Sequence, residues 1–180
     1  MNLYFISGLG VDERIFGKLK LPDQFTIHHI YWLPVSENES IENYCMRLSD
    51  QIDRTSPFTL VGVSFGGIIA IELSKKLAPV QTVIISSFCN KEEVPKFYLL
   101  LGRLKLYKML PVQFLLKPNN MIFRLFGSNK QVEKELLKNI MLETDPGFFQ
   151  RAVDQLFSWD NSWKPERFLH INGKSDKLLP

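Results

Sequence analysis

The chain has 180 residues, 45% of them hydrophobic, 23% charged and 12% aromatic. Such a length and composition suit one globular domain that buries its own core, and they exclude disordered, collagenous and fibrous classes. The net charge of +3 is too small to imply a nucleic-acid partner. Two cysteines, Cys45 and Cys89, cannot build a disulfide framework, so buried thiols in a reducing compartment are expected.

The opening MNLYFISGLG carries neither a basic leader nor a cleavable apolar run, so no signal peptide and a cytoplasmic location are expected. Leu3 to Ser7 is a compact apolar run that opens into Gly8-Leu9-Gly10, a strand ending in a loop. Phe25 to Trp32 is β-branched and aromatic between Pro22 and Pro34, and predicts a second strand. Ile41, Tyr44, Cys45, Leu48 and Ile52 recur at helical spacing, which predicts a helix over 41–52. A third strand follows over Phe58 to Val63, then a helix over Ile68 to Leu77 and a fourth strand over Val80 to Ser86. This alternation implies a parallel sheet with right-handed crossovers, and the near-continuous apolar strands imply helices on both faces.

The rhythm breaks from about Cys89 to Lys164. Phe97 to Leu110 predicts one apolar-basic helix and Val132 to Met141 another. Asp145-Pro146 starts a third, with Asp capping free N–H groups and Pro at the first helical position. Phe168 to Asn172 predicts a fifth strand running into Gly173 and Asp176. The fold class expected is therefore α/β, a three-layer, doubly wound, mostly parallel sheet, with a helical cap over 90–164 inserted after the fourth strand. From Val94 to Val132 there is no Asp or Glu, yet Lys96, Arg103, Lys105, Lys108, Lys117, Arg124 and Lys130 fall there. This is either a solvated basic face or a surface that attracts an anionic ligand or an interface. No apolar run approaches the length needed to span a bilayer.

Gly62-Val63-Ser64-Phe65-Gly66 matches G-x-S-x-G, directly after the strand Thr59-Leu60-Val61 and directly before a helix beginning at Gly67-Ile68. A serine presented on such a strand–turn–helix needs a strained backbone. Flanking glycines let strand and helix pass closely, and the helix N-terminus favours negative charge developing at the reacting centre. Ser7-Gly8-Leu9-Gly10 closes the first strand, where the backbone N–H of Leu9, paired with that of Phe65, would form an oxyanion hole.

With Ser7-Gly8-Leu9-Gly10, the Gly62 to Gly66 elbow and Gly173-Lys174-Ser175-Asp176 in hand, the chain resembles the α/β-hydrolase fold family over essentially its whole length. It is most similar to small bacterial-type serine esterases and related acyl hydrolases. The resemblance implies residues 1–180 as a single hydrolase domain, Ser64 as nucleophile, Asp176 as the acid that orients a histidine base, and 90–164 as the variable lid. The glycines Gly8, Gly10, Gly62 and Gly66 would shape the loop and the elbow.

In this fold the order is Ser, then Asp or Glu, then His. Only Lys177, Leu178, Leu179 and Pro180 follow Asp176, and His28, His29 and His170 all precede it. These three are expected to be core or sheet-surface histidines. A serine hydroxyl without a base is a poor nucleophile. The expectation is a C-terminally shortened version of a longer hydrolase, since the resemblance implies a further strand and an amphipathic helix. The alternatives are a naturally short, non-catalytic relative that binds a ligand or partner, or a histidine from another copy or an unusual fold position.

The function expected is acyl transfer from an ester or thioester, and the phenylalanines Phe97, Phe114, Phe123 and Phe126 suggest an apolar acyl or aromatic substrate. No C-x-x-C, H-E-x-x-H or acidic-histidine cluster points to a metal, and no G-x-G-x-x-G follows the first strand, so no cofactor is expected. The oligomeric state stays open.

Overall fold

The computed structural model describes residues 1–109, 112, 116–128, 130–174 and 176. Five strands, β1 (Asn2–Ile6), β2 (Thr26–Ile30), β3 (Phe58–Val63), β4 (Gln81–Ile85) and β5 (Phe168–Ile171), form one sheet in the order β2-β1-β3-β4-β5. Every neighbouring pair is parallel. The chain starts near the middle, adds β2 on one side and then crosses β1 to place β3, so the order reverses between β1 and β3. Clefts in such sheets form beyond the carboxyl ends of strands flanking that reversal.

Alternate residues face opposite ways along each strand. Tyr4, Ile6, Leu60 and Ile84 face α1 (Ile41–Leu48) and α2 (Phe65–Leu77), which supply Tyr44, Leu48, Ile68, Ile69 and Leu73 to the main core. Leu3, Phe5 and Val61 face the other way, beneath Phe16, Leu21 and Phe25. Phe16 closes a short 3-10 helix, Glu13–Phe16, capped by the Asp12 carboxylate. β5 lies at the sheet edge and leaves Leu169 and Ile171 45% and 44% exposed on that second face.

Between β4 and β5 lie α3 (Lys96–Arg103), α4 (Asn120–Leu125), α5 (Gln131–Glu143) and α6 (Pro146–Ser158). α4 and α5 bury Ile122, Leu137, Ile140 and Met141 around Val11, in the loop after β1. Lys18 pairs with Glu133 at 2.9 Å, and Arg14 pairs with Glu143, tying α5 to the same N-terminal region. α6 inserts Phe148 and Ala152 into the main core, and Trp159 follows it there. α3 contributes no fully buried residue.

Several boundaries differ from those the sequence predicts. α1 stops at Leu48 because Ser49–Gln51 tightens into a 3-10 turn, with Ser49 Oγ donating to the Met46 carbonyl at 2.6 Å. α2 begins at Phe65, three residues early, since the two glycines that suggest a loop are already helical. The helix predicted over Phe97 to Leu110 ends at Arg103; Lys105 takes a φ of +51°, and Leu106–Met109 form a separate 3-10 turn. α4 escapes periodicity because six residues are under two turns, although its cap is legible: Asn119 Oδ1 accepts from the N–H groups of Met121 and Ile122.

Candidate active site

Ser64 sits between β3 and α2 with φ 53° and ψ −121°. This conformation is strained for a residue with a Cβ, and it persists only where the surroundings over-determine it. They do so here through three hydrogen bonds to the Ser64 backbone. Its N–H donates to the Ile85 carbonyl at 2.9 Å, while its carbonyl accepts from Gly67 N–H at 2.8 Å and from Ser87 Oγ at 2.7 Å. The turn is tight enough that a Cβ on Gly62 would overlap the Gly66 carbonyl, and one on Gly66 would overlap the carbonyls of Ile6 and Ser7. Glycine at these two positions is a steric requirement.

The loop after β1 lies directly beside this turn. Gly8 packs against Ser64, with 3.4 Å between an added Cβ and Ser64 Cβ. The loop is fixed by Ser7 Oγ donating to the Val11 carbonyl at 2.9 Å, and Trp32 Nε1 donates to the same oxygen at 3.3 Å. Among the described residues, neither the Leu9 N–H nor the Phe65 N–H is spent in a hydrogen bond, and none is made to the Ser64 hydroxyl. Phe65 is at the first helical position of α2, where the N–H has no partner within the helix.

Two clefts meet at Leu9 and Ser64. The smaller, of about 510 Å³, runs between α2, α3 and α6 and is lined by Phe65, Ile68, Phe88, Leu156, Phe157 and Trp159 among others. The larger, of about 840 Å³, runs under α4 and α5 past Arg14, Lys18 and Phe126. Asp176 borders this second cleft together with Ser64, and its N–H donates to the Gly173 carbonyl at 3.0 Å, closing the turn after β5. Tyr98 on α3 borders the first; burial, and then the negative charge of Asp176, raise its phenol above the ordinary value. The fold thus brings Ser64, Leu9, Phe65 and Asp176 to one end of the sheet.

Of the cap phenylalanines expected to mark an apolar substrate site, only Phe126 borders a cleft that reaches Ser64 among the described residues. Phe97 points to solvent at 65% exposure, Phe123 packs with α4 and α5, and Phe126 borders the larger cleft at 44% exposure. Phe114 lies outside the described residues, as does Ser175. The apolar wall of the smaller cleft comes instead from residues of α2, α6 and the loop after β4. Sequence reasoning missed Ser87, Tyr98 and Trp159, because nothing local marks a residue that reaches a site through tertiary packing. Trp159 Nε1 donates to the buried Glu72 carboxylate at 2.7 Å, which holds the indole against α2.

No histidine borders either cleft among the described residues. His28 stacks on Tyr4 and His29 on Phe16, from opposite faces of β2. His170 on β5 is engaged elsewhere, with Nε2 2.9 Å from the Ser87 carbonyl oxygen and Nδ1 4.0 Å from Glu93. The described residues also hold no cluster of three or more His, Cys, Asp or Glu side chains suited to a metal ion. Both cysteines are buried, and burial pushes the Cys89 thiol up to about 11.

No protein-family model and no curated protein matches the chain in sequence. Solved structures do match. MenH from S. aureus superposes with a TM-score of 0.68 at 17% identity, over 86% of this chain and 65% of that one. A thermophilic esterase from Thermogutta terrifontis gives a TM-score of 0.68 at 14% identity, over 100% of this chain and 74% of that one. The bottromycin epimerase BotH, solved with bottromycin A2, gives 0.62 at 14% identity, over 95% and 71%. The chain therefore spans just under two thirds of the length of the S. aureus protein. The α/β-hydrolase fold is shown by these likenesses and by the parallel sheet with its reversal between β1 and β3.

Proposed function

We propose that this chain carries the acyl-transfer site of a serine hydrolase acting on an ester or thioester. The observation that carries this reading is Ser64, held at φ 53° with its hydroxyl unspent among the described residues, at the meeting point of two clefts. Ser64 Oγ attacks the substrate carbonyl carbon. The N–H groups of Leu9 and Phe65 receive the oxyanion of the tetrahedral intermediate, in a place where the N-terminus of α2 adds favourable potential. The intermediate collapses as the proton that the base takes from Ser64 Oγ passes to the departing alcohol or thiol, and water activated by the same base then hydrolyses the acyl-serine and restores the hydroxyl. Asp176 is assigned the role of the acid that orients and stabilises the base.

The apolar smaller cleft suits the acyl or aromatic part of the substrate. Residues 90–164 act in this reading as the lid, because α3 and α6 form its outer wall. The reading also requires a base. None of His28, His29 and His170 borders either cleft, so the reading calls for a histidine that the described residues do not bring to Ser64. Loss of a triad member leaves only ~10³–10⁴-fold catalysis over water, so the chain of residues 1–180 alone is expected to be slow.

A serine-directed fluorophosphonate, applied to the longest natural version of the chain, tests the assignment. Labelling of Ser64 that disappears in Ser64→Ala is the expected result; no labelling, or labelling that survives the substitution, overturns it. A second reading, a ligand-binding protein on a hydrolase scaffold, draws on the lack of any histidine at the clefts among the described residues. BotH, named as an epimerase, has a similar fold without being a hydrolase by name. That second reading predicts saturable binding of an apolar ligand and no acyl-enzyme from any version of the chain.

A further inference from the structure

α3 lies on the outside of the cap and exposes much of its apolar surface. Phe97, Leu100 and Leu104 are 65%, 53% and 56% exposed. Their spacing of three and four residues puts them along one stripe of the helix. The inner side is different: Gly102 packs closely on Phe157 of α6, and Tyr98 turns toward the smaller cleft. A helix presenting an apolar stripe to water loses stabilisation that contact with an apolar phase would supply.

The charges that α3 and the chain just beyond it carry are of one sign. Lys96 and Arg103 follow its flank, Lys105 stands just beyond the helix end, and no acidic residue occurs between Val94 and Val132. Of the acids elsewhere in the cap region, Glu93 accepts a hydrogen bond from the Cys89 N–H, Asp154 is engaged by Tyr107 and Lys108, and Asp160, which lines the smaller cleft with Arg103, pairs with Lys91; Asp176 lies on the inner side, toward Tyr98. Glu92 lies before Pro95, outside the helix. Lysine and arginine stems extend along an apolar face while their charged ends reach anionic headgroups, so a bilayer surface fits both features at once. Two copies meeting through this face would set the same cations against one another.

We infer that the outer face of α3 is a docking surface for an anionic lipid bilayer, with Phe97, Leu100 and Leu104 entering the acyl boundary and Lys96, Arg103 and Lys105 meeting the headgroups. The inference stands independently of catalysis, since it uses neither Ser64 nor Asp176. Docking in this pose sets the cap wall formed by Tyr98, Leu99, Gly102 and Arg103 next to the lipid, so the smaller cleft would lie close to the membrane.

Flotation of the full chain with phosphatidylcholine vesicles, with and without about one third phosphatidylglycerol, tests it. The expected result is binding to the anionic vesicles that weakens at least about tenfold in 0.5 M salt. Two folded variants, Phe97→Ser/Leu100→Ser/Leu104→Ser and Lys96→Glu/Lys105→Glu, should each lose about tenfold or more in vesicle affinity, with unchanged circular dichroism. Failure of the unaltered chain to float, or flotation unaffected by either variant, overturns the inference. Self-association abolished by the triple-serine variant in the absence of lipid also overturns it, because the occupant would then be a second copy.

Discussion

The sheet with its elbow and the cap differ in how each holds its place. In β3 and α2 nearly every residue is buried, and Leu60, Ile69 and Ile71 have no exposed surface. In α3 none is buried; the helix packs through Gly102 on Phe157, and Tyr107, in the separate 3-10 turn that follows, stacks on the same ring with centroids 4.4 Å apart. Parallel strands must be covered on both faces, so the elbow is gripped from every side and tolerates a strained serine. A cap helix that touches the body along one edge has no such constraint. It is left with a stripe that the core does not cover.

The contrast makes graded predictions. The largest effects on stability are expected inside the sheet and its elbow, from Gly66→Ala and from Leu60→Ala. In the first, the new methyl meets the Ile6 and Ser7 carbonyls, and backbone cannot step aside as a side chain does. A loss of about 3 kcal/mol in urea unfolding is expected, and a loss below about 1 kcal/mol would show that the elbow is looser than its geometry. The second is half of a matched pair. Leu60→Ala, in the centre of β3, should cost about 2–5 kcal/mol, whereas Leu100→Ala on α3 should stay within about 0.5 kcal/mol. Equal costs would erase the distinction between the two regions. The smallest effect belongs to the exposed Lys18–Glu133 pair that fastens α5, where Lys18→Met should change stability by about 0.2–1 kcal/mol, and less in high salt. Amide exchange offers a check without mutation: α3 should exchange well before β3.

Much of this was legible along the chain. The five strands are apolar runs bounded by Gly, Pro or polar residues, and all five appear within two residues of their expected limits. G-x-S-x-G between a strand and a helix located Ser64, because that turn depends on residues adjacent in sequence. Asp145-Pro146 marked the start of α6 for the same reason. The cap was less legible. Its helices are short and interrupted, as Lys105 shows, and their partners lie far away in sequence. The expected role of the cap phenylalanines failed at Phe97 because amphipathic spacing shows that a helix has an apolar face, but not which way that face turns.

By itself, then, the sequence determined the local events: where strands begin, where the chain turns sharply at Gly62 to Gly66, and which residue stands on that turn. Only the tertiary structure decided that Asp176 joins Ser64 at one cleft, that Tyr98 borders the other, and that α3 keeps Phe97, Leu100 and Leu104 outside. The physical reason is the range of the forces involved. Backbone conformation and capping are settled between neighbours in the chain, whereas burial is settled by whichever surfaces remain once the sheet has assembled.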